Sequence, residues 1–266
     1  MVIFPNAKIN IGLRVTEKRN DGFHNLETCF FPIPYYDVLE IIPSKKDSFF
    51  IYNCEILQDN ILLKARDLLR EFMPFPQIDI YLYKNIPIGS GLGGGSSDAA
   101  FLMKALTTLF HLEIMEPDLE RIAEQIGKDC PFFIRNTPTL AYGTGNIFDA
   151  ISLDLSGYYL VVITPGINIS TKEVFADITP QVPKDPLTKI LKNSKPENWQ
   201  GLIQNDFQFI VEEKYTEVRE VTETLRKVGS VFTLLSGTGS SVYGLFDSKP
   251  RFESLLTSWR VWESKL

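Results

Sequence analysis

The chain contains few cysteines and no long apolar run. Among its 266 residues are three cysteines, and Cys29, Cys54 and Cys130 are too scattered for a zinc motif and odd in number. We expect them to be reduced thiols in an intracellular protein. No apolar run approaches the roughly 18 residues that a membrane span needs, and the first residues lack the charged region and apolar stretch of a signal peptide. We therefore expect a soluble, cytoplasmic protein.

An excess of basic residues is also missing. The chain has 27 lysines and arginines against 33 aspartates and glutamates, a net charge of −6, which argues against a nucleic-acid or membrane-surface binder. An anionic ligand must therefore be bound locally, by backbone amides or a few lysines. Hydrophobic residues make up 44% of the chain and charged residues 23%, so we expect a sizeable core in one large domain or two ordinary ones.

Hydrophobic periodicity predicts alternating strands and helices. Before residue 150 we predict strands over residues 1–15, 23–43 and 78–85, broken at prolines, and helices over 59–73, 96–112 and 119–127. Later we predict a strand over 157–167, helices in 168–178 and 218–225, and a strand–turn–strand segment over 230–247, with a polar, proline-bearing stretch at 179–198. The sequence pattern changes near residues 146–155, and we place a domain boundary there, which gives domains 1–150 and 151–266.

The densest glycine run is IPIGSGLGGGSSDAA, which starts at Ile86 and leads from an alternating strand into a helix expected to open with Ser96, Ser97 and Asp98. The first amides of a helix have no partner inside the helix and carry a partial positive charge. Glycines let an anion approach such amides without obstruction by a Cβ atom. We predict a phosphate-binding loop; the alternative is a tight turn whose small residues allow close packing.

Two common phosphate motifs do not account for this loop. The P-loop pattern needs lysine after its last glycine, and Ser96 stands there. The dinucleotide pattern G-x-G-x-x-G is met by Gly89, Gly91 and Gly94. However, the strand before it alternates, whereas the first strand of a dinucleotide-binding fold is apolar on both faces. A dinucleotide-dependent oxidoreductase is therefore an alternative that rests on the glycine pattern alone.

The loop resembles the phosphate loop of the GHMP small-molecule kinases, P-x-G-x-G-L-G-x-S-S-x-A. This resemblance implies that the loop binds ATP, and the extra glycine in GLGGGSS narrows it to the branch that phosphorylates 4-diphosphocytidyl-2-C-methyl-D-erythritol in non-mevalonate isoprenoid synthesis. The residues that match the loop pattern and are implied to bind ATP are Pro87, Gly89, Gly91, Leu92, Gly93, Gly94, Gly95, Ser96 and Ser97.

The N-terminal segment PNAKINIGLRVTEKRNDGFHNLETCF resembles the signature of that branch, P-A-K-I-N-L-x-L-x-V-x-x-x-R-x-D-G-Y-H-x-L. The resemblance implies that Lys8 is catalytic and that Asn10, Phe23 and His24 bind the substrate. Phe23 stands where the family has tyrosine, so an aromatic face is kept and a hydroxyl is lost. Taken alone, Lys8 would be a solvated strand residue and His24 a loop or core histidine.

The segment IGKDCPFFI resembles the family motif G-A-D-V-P-F-F, which implies that Asp129 is the catalytic base. Pro131 is expected to hold Cys130 in an extended conformation, so that Asp129 projects from an irregular turn. The resemblance implies that Lys8, close by, favours the ionised aspartate and the developing alkoxide. An ordinary turn aspartate before proline is the alternative.

Shorter matches follow in the same order along the chain. FTLLSGTGSSVYGLF resembles T-G-S-G-A-C-V-F-A and implies that Gly237, Thr238 and Gly239 lie beside the substrate phosphates; a simple hairpin turn is the alternative. Asn205 and Asp206 match an N-D pair of the family. Asn146 replaces a family glutamate and receives no role. The resemblance further implies adenine contacts from Asn60 and Lys84, a cytosine contact from Phe175 and a polar substrate contact from Thr171.

The resemblance also implies the fold and the ligands. We expect an α+β protein with an N-terminal α/β domain that carries the glycine loop, a ferredoxin-like C-terminal domain, and an active site in the cleft between them. ATP is the expected co-substrate with Mg²⁺, although no carboxylate cluster predicts a protein-built magnesium site. We expect small-molecule substrates, no nucleic-acid or membrane partner, and a monomer or homodimer.

Two alternatives stay open within this resemblance. One is a GHMP kinase that acts on another alcohol, such as homoserine or mevalonate. The other is a member without catalytic activity that binds a nucleotide or sugar. The presence of both Lys8 and Asp129 argues against the second, because a binding protein needs neither.

Overall fold

The computed structural model describes residues 1–54, 60–252 and 258–266. Its strands are β1 (Val2–Ile3), β2 (Asn6–Lys18), β3 (His24–Tyr36), β4 (Val38–Pro43), β5 (Ser48–Tyr52), β6 (Ile78–Tyr83), β7 (Thr139–Tyr142), β8 (Ile147–Ala150), β9 (Tyr159–Thr164), β10 (Phe232–Leu235), β11 (Val242–Phe246) and β12 (Arg260–Lys265). Its helices are α1 (Ile61–Phe72), α2 (Gly94–Leu109), α3 (Glu116–Glu124), α4 (Cys130–Arg135), α5 (Thr171–Ala176), α6 (Leu187–Asn193), α7 (Asp206–Lys214) and α8 (Thr216–Lys227).

The chain forms two compact units. The first contains residues 1–7, 35–88 and 93–137, and the second contains residues 8–34, 89–92 and 138–266. These packing units have boundaries other than residue 150, because β2, β3, β7 and β8 form one sheet that belongs with the C-terminal residues. The division into sequence domains 1–150 and 151–266 stays a prediction.

The first unit packs helices α1 to α4 with a sheet of strand order β1-β4-β6-β5. Neighbours β5 and β6 are parallel, and the other neighbours are antiparallel. Along β6 the residues Ile78, Ile80 and Leu82 are buried, as the alternation predicts for a sheet with one face on the core. The ten residues 84–93 separate this strand from α2 and contain most of the glycine loop.

The second unit holds the sheet β2-β3-β7-β8 and the sheet β10-β11-β9-β12. In the latter all neighbours are antiparallel, and β11 lies between β9 and β10, which are therefore parallel to each other. This split crossover gives the strand order of a ferredoxin-like sheet, as expected from the resemblance. Helix α8 packs on β10 and β11, and buried Val161, Leu235 and Val242 lie in the shared core.

Several local predictions are wrong in detail. Prolines at 32 and 34 do not break β3, and the ladder of β3 with β7 spans only Thr28 to Phe30, so neither proline is paired with β7. Helix α2 begins at Gly94, two residues before the expected start. The proline-bearing stretch at 179–198 contains α6. The elements that the sequence pattern does not predict are β5, β7, β8, β12, α4 and α7.

The conformation at Cys130 also differs from the expectation. Cys130 is the first residue of α4 and is not extended, because Pro131 occupies an early helical position. At such a position the N–H that proline lacks has no acceptor within the helix in any case.

Across the part of the chain that the structure describes, the helices lack the length and apolar character needed to cross a bilayer.

Candidate active site

The glycines of the loop meet different structural needs. Gly89, Gly91 and Gly93 have φ values of +66°, +79° and +72°, a region that favours glycine. A Cβ on Gly91 would lie 2.0 Å from the carbonyl oxygen of Ser236. Gly95 is exposed, and a Cβ there would meet only an Ile61 methyl, at 3.6 Å. Gly91 is therefore required by packing, whereas Gly95 leaves open space outside the first turn of α2.

Gly94 packs tightly at the same helix start. A Cβ on Gly94 would lie 2.8 Å from Cγ2 of Ile86 and 3.3 Å from Nζ of Lys84. Packing therefore accounts for glycine at position 94 without reference to a ligand.

The start of α2 offers backbone amides to an anion. Gly93 is its N-cap, and the first hydrogen bond runs from Ser97 N to Gly93 O at 2.9 Å. Amides of Gly94, Gly95 and Ser96 precede that bond, and such amides have no acceptor inside a helix. The helix has 16 residues, so its dipole adds positive potential at this end. This geometry suits a phosphate group.

Lys8 is buried beside the glycine loop. Its Nζ donates to Oδ1 of Asn10 at 2.5 Å and to the Gly91 carbonyl at 3.0 Å, and it lies 5.1 Å from the ring centroid of Phe30. The Asn10 amide group donates in turn to Thr28 Oγ1 at 2.9 Å. Both polar atoms of the Asn10 side chain are thus bonded, and Asn10 orients Lys8; its contact with substrate stays a prediction.

Lys84 lies between two buried carboxylates. Its Nζ bonds to Asp37 and, at 2.6 Å, to Asp98 Oδ2. The second Asp37 oxygen accepts from the amides of Asn85 and Ile86, at 2.6 and 2.8 Å. This ion cluster joins the end of β6 to the first turns of α2. An adenine contact of Lys84 stays a prediction, but its ammonium group is already bonded.

Burial and neighbouring charges shift the pKa values of Asp98 and Lys84. Burial raises the pKa of Asp98 well above the ordinary value; the charge of Lys84 opposes this rise and that of Asp37 adds to it. Burial acts to lower the pKa of Lys84, but the charges of Asp98 and Asp37 outweigh it and the net direction is upward. Lys84 therefore stays charged while Asp98 retains its proton to a higher pH than an exposed aspartate.

Asn60 and Ser97 lie at the starts of two helices of the first unit. Oδ1 of Asn60 accepts from the amide of Leu62 at 2.8 Å and so caps α1. The hydroxyl of Ser97 is buried and has no hydrogen-bond partner among the described residues. Asn60 was predicted to contact adenine, and this stays a prediction.

Asp129 is half-buried at the N-cap position of α4. The next residue, Cys130, is buried, and its thiol is hydrogen-bonded by the Ser96 hydroxyl. Burial raises the pKa of Cys130 to about 12, so the thiol is neutral at physiological pH. The Ser96–Cys130 contact links the turn that carries Asp129 to the first turn of α2, where phosphate is expected.

Two of the residues predicted for a pyrimidine base, His24 and Phe175, are in contact. The rings of His24 and Phe175 have centroids 5.3 Å apart at an angle of 38°, and Phe175 also packs on Phe207 at 4.6 Å. Phe23 is 57% exposed. His24 and Phe175 therefore form one aromatic surface, and Phe23 presents an open ring face to solvent.

The loop between β10 and β11 contacts Thr171 and Gly91. Thr238 Oγ1 lies 3.1 Å from Thr171 Oγ1. Ser236 Oγ donates to the Gly91 carbonyl at 2.9 Å, and a Cβ on Gly237 would lie 3.3 Å from Gly91 Cα. The segment is a hairpin turn, and it also contacts the glycine loop.

Among the described residues, no group of three or more histidine, cysteine, aspartate or glutamate side chains has a metal-binding arrangement.

Comparisons with known proteins agree with this geometry. The family profile described as GHMP kinases N terminal domain matches residues 60–137, and the one described as GHMP kinases C terminal matches residues 189–262. A Bacteroides thetaiotaomicron protein named 4-diphosphocytidyl-2-C-methyl-D-erythritol kinase is 47% identical over 93% of this chain and 92% of its own length.

Two further matches carry the same enzyme name. A Bacteroides fragilis protein named 4-diphosphocytidyl-2-C-methyl-D-erythritol kinase is 43% identical over 96% of this chain and 95% of its own length. A crystal structure of 4-(cytidine 5'-diphospho)-2C-methyl-D-erythritol kinase has a TM-score of 0.79 and 31% identity, covering 92% of this chain and 90% of its own.

Proposed function

The chain belongs to the GHMP kinase family, and from that membership we propose that it phosphorylates the 2-hydroxyl of 4-diphosphocytidyl-2-C-methyl-D-erythritol with ATP. The observation that carries the proposal is the 43% and 47% identity, over nearly the full length of this chain, to relatives that bear this enzyme name. The product would enter non-mevalonate isoprenoid synthesis, and we propose the cytoplasm as the location. Monomer and homodimer both stay open.

The proposed reaction is a direct phosphoryl transfer. The substrate hydroxyl oxygen forms a bond to the γ-phosphorus of ATP, the bond from that phosphorus to the β–γ bridging oxygen breaks, and ADP leaves. Asp129 takes the hydroxyl proton, and Lys8 stabilises the negative charge that develops on the oxygen. The family motifs at both positions support these roles, as does the burial of Lys8.

ATP is proposed to bind along the glycine loop. The amides at the start of α2 face no acceptor within the helix, which supports a phosphate there. Asn60 and Lys84 are proposed beside the adenine; because the ammonium of Lys84 is bonded to Asp37 and Asp98, its backbone or stem would make that contact. Mg²⁺ is proposed to arrive with ATP and to neutralise charge on its phosphates.

The cytidine part is proposed to bind on the aromatic surface of the second unit. Phe23 and Phe175 would stack on the base, which contributes on the order of 1–3 kcal/mol for any base. His24 would give preference for cytosine through a hydrogen bond. Thr171, Thr238 and the flanking Gly237 and Gly239 would contact the diphosphate.

An ADP-release assay tests this proposal. Purified protein with ATP and Mg²⁺ is given the cytidyl substrate, mevalonate or homoserine in separate reactions. We expect ADP release with the cytidyl substrate, at a kcat/KM at least about 100-fold above either other alcohol. Faster turnover of mevalonate or homoserine would assign a different kinase of the family. ATP binding without ADP release on any of the three would indicate a binding protein.

A further inference from the structure

Asn205, at the start of α7, holds two parts of the second unit at once. It is 5% exposed, and its Oδ1 accepts from the Phe207 amide at 3.0 Å, which caps the helix. Its Nδ2 donates to the carbonyls of Leu235 and Gly237, at 2.9 and 2.7 Å. One buried side chain therefore fixes both the helix start and the first residues of the β10–β11 loop, residues 236–241.

Hydrogen bonds connect this loop to Lys8 through the Gly91 carbonyl. Between the two carbonyls that Asn205 holds lies Ser236, whose Oγ donates to the Gly91 carbonyl at 2.9 Å and accepts from the Asn10 amide at 3.3 Å. The same Gly91 carbonyl accepts from Lys8 Nζ at 3.0 Å. A displacement of the loop would therefore move a hydrogen-bond partner of the carbonyl that orients Lys8.

The neighbouring residues hold the strand that carries Lys8. Asp206 Oδ2 accepts from the amide of Val15 at 2.7 Å, and the Leu13 amide donates to the Gln204 carbonyl at 3.0 Å. Residues 204–206 thus hold β2 on one side and the β10–β11 loop on the other. Asn205 supplies the bonds to the loop.

We propose that Asn205 is a positioning residue for phosphoryl transfer, whose two Nδ2 bonds set the β10–β11 loop against the Gly91 carbonyl and thereby the place of Lys8. The inference rests on the proposed function for the reaction, and on the hydrogen bonds above for the positioning. Its chemistry is specific: the position needs one acceptor for the helix cap and two N–H donors for the loop.

Two variants separate the cap from the loop bonds. Asn205→Ser keeps an oxygen that caps a helix well but lacks the two donors. Asn205→Asp keeps the size and the cap oxygen, and places a second carboxylate oxygen against two carbonyls. We expect kcat with the cytidyl substrate to fall about 10-fold to 100-fold in both, because small displacements of reacting groups are costly. The KM for ATP should stay within about 3-fold, since neither variant alters the start of α2.

Leu191→Ala, in a buried position on α6, is the control for loss of stability alone, and its kcat should stay within about 2-fold of the unchanged protein at a temperature where it is folded. A kcat within about 2-fold in both Asn205 variants would overturn the proposal. So would an equal loss in the Leu191 variant.

Amide hydrogen exchange gives a second readout that needs no turnover. In Asn205→Ser we expect exchange of residues 236–241 to rise about 10-fold or more, with residues 207–214 of α7 unchanged because the cap is kept. Unchanged exchange in the loop would overturn the positioning role. If the unchanged protein releases no ADP with the cytidyl substrate, the proposed function fails, and the exchange comparison alone decides whether Asn205 holds the loop.

Discussion

Gly91 and Ser236 approach so closely that no side chain fits between them. A Cβ on Gly91 would lie 2.0 Å from the Ser236 carbonyl oxygen, and the φ of Gly91 is +79°. We expect Gly91→Ala to lower the free energy of unfolding by ~3 kcal/mol or more, since the left-handed backbone alone costs roughly 1–2 kcal/mol with a side chain and the clash must be relieved besides. Urea unfolding measures this loss. A loss below ~1 kcal/mol would contradict the packing role.

Gly95→Ala should leave the stability unchanged or slightly higher and weaken the binding of ATP. Its Cβ would meet no atom closer than 3.6 Å, and alanine is favoured over glycine in a helix by roughly 0.5–1 kcal/mol. We therefore expect an unchanged or slightly higher melting temperature. If phosphates approach the first turn of α2, the added methyl obstructs them, and the KM for ATP rises about 10-fold. An unchanged KM would mean that ATP phosphates do not contact this turn.

The loop was recognisable from sequence because its features are local. A dense glycine run, a strand before it and a helix after it lie within residues 78–112, and each follows from short-range periodicity and helix-end physics. The sequence pattern does not show why each of these positions needs glycine. Gly91 is needed because of Ser236, which lies 145 residues away, and no local pattern reports such a contact.

The same limit applies to the buried ions. Lys84 was singled out, but its partners Asp37 and Asp98 were not, because Asp37 follows a strand and Asp98 lies where helix-start aspartates are common. A charged residue inside the apolar run SSDAAFLM was the available indication. The Asn205 pair was matched to the family without a role, and its role depends on hydrogen bonds to a loop 30 residues farther along the chain.

Asp129→Asn tests the proposed base. The substitution removes the proton acceptor and keeps the shape, so turnover should fall by about 10²-fold to 10⁴-fold, the usual contribution of such a group. The KM for ATP should change little. Initial rates of ADP release over a range of both substrates measure the two effects. A rate near that of the unchanged protein would remove Asp129 from the proton-transfer step.

His24→Ala tests the proposed cytidine surface. His24 lies beside Phe175, with ring centroids 5.3 Å apart, so its removal takes away both a hydrogen-bonding group and part of the aromatic surface. We expect the KM for the cytidyl substrate to rise about 10-fold or more, within the range of a lost stacking contact, and the KM for ATP to stay constant. Phe209→Ala, at a position 69% exposed on α7, is the matched control and should change neither. Equal rises in both KM values would place His24 outside the base site.

Asp98→Asn should change how stability depends on pH. Burial raises the pKa of Asp98 in the folded protein well above the ordinary value of 3.8. At a pH between 3.8 and the pKa of the folded protein, Asp98 therefore holds a proton in the folded chain and releases it in the unfolded chain. The contribution of Asp98 to stability is therefore complete below 3.8 and is lost as the pH rises through the folded pKa. Asparagine does not titrate, and the variant escapes this loss.

The stability of Asp98→Asn relative to the unchanged protein should accordingly increase as the pH is raised. Urea unfolding of both proteins at steps from about pH 4 to about pH 8, at one ionic strength, gives the difference in unfolding free energy at each pH. The ammonium of Lys84 keeps Asp37 as a charged partner in the variant, so the cluster is not left with an unpaired lysine. A difference that stays flat, or that falls as the pH rises, would show that Asp98 is ionised throughout this range and that Lys84 outweighs its burial.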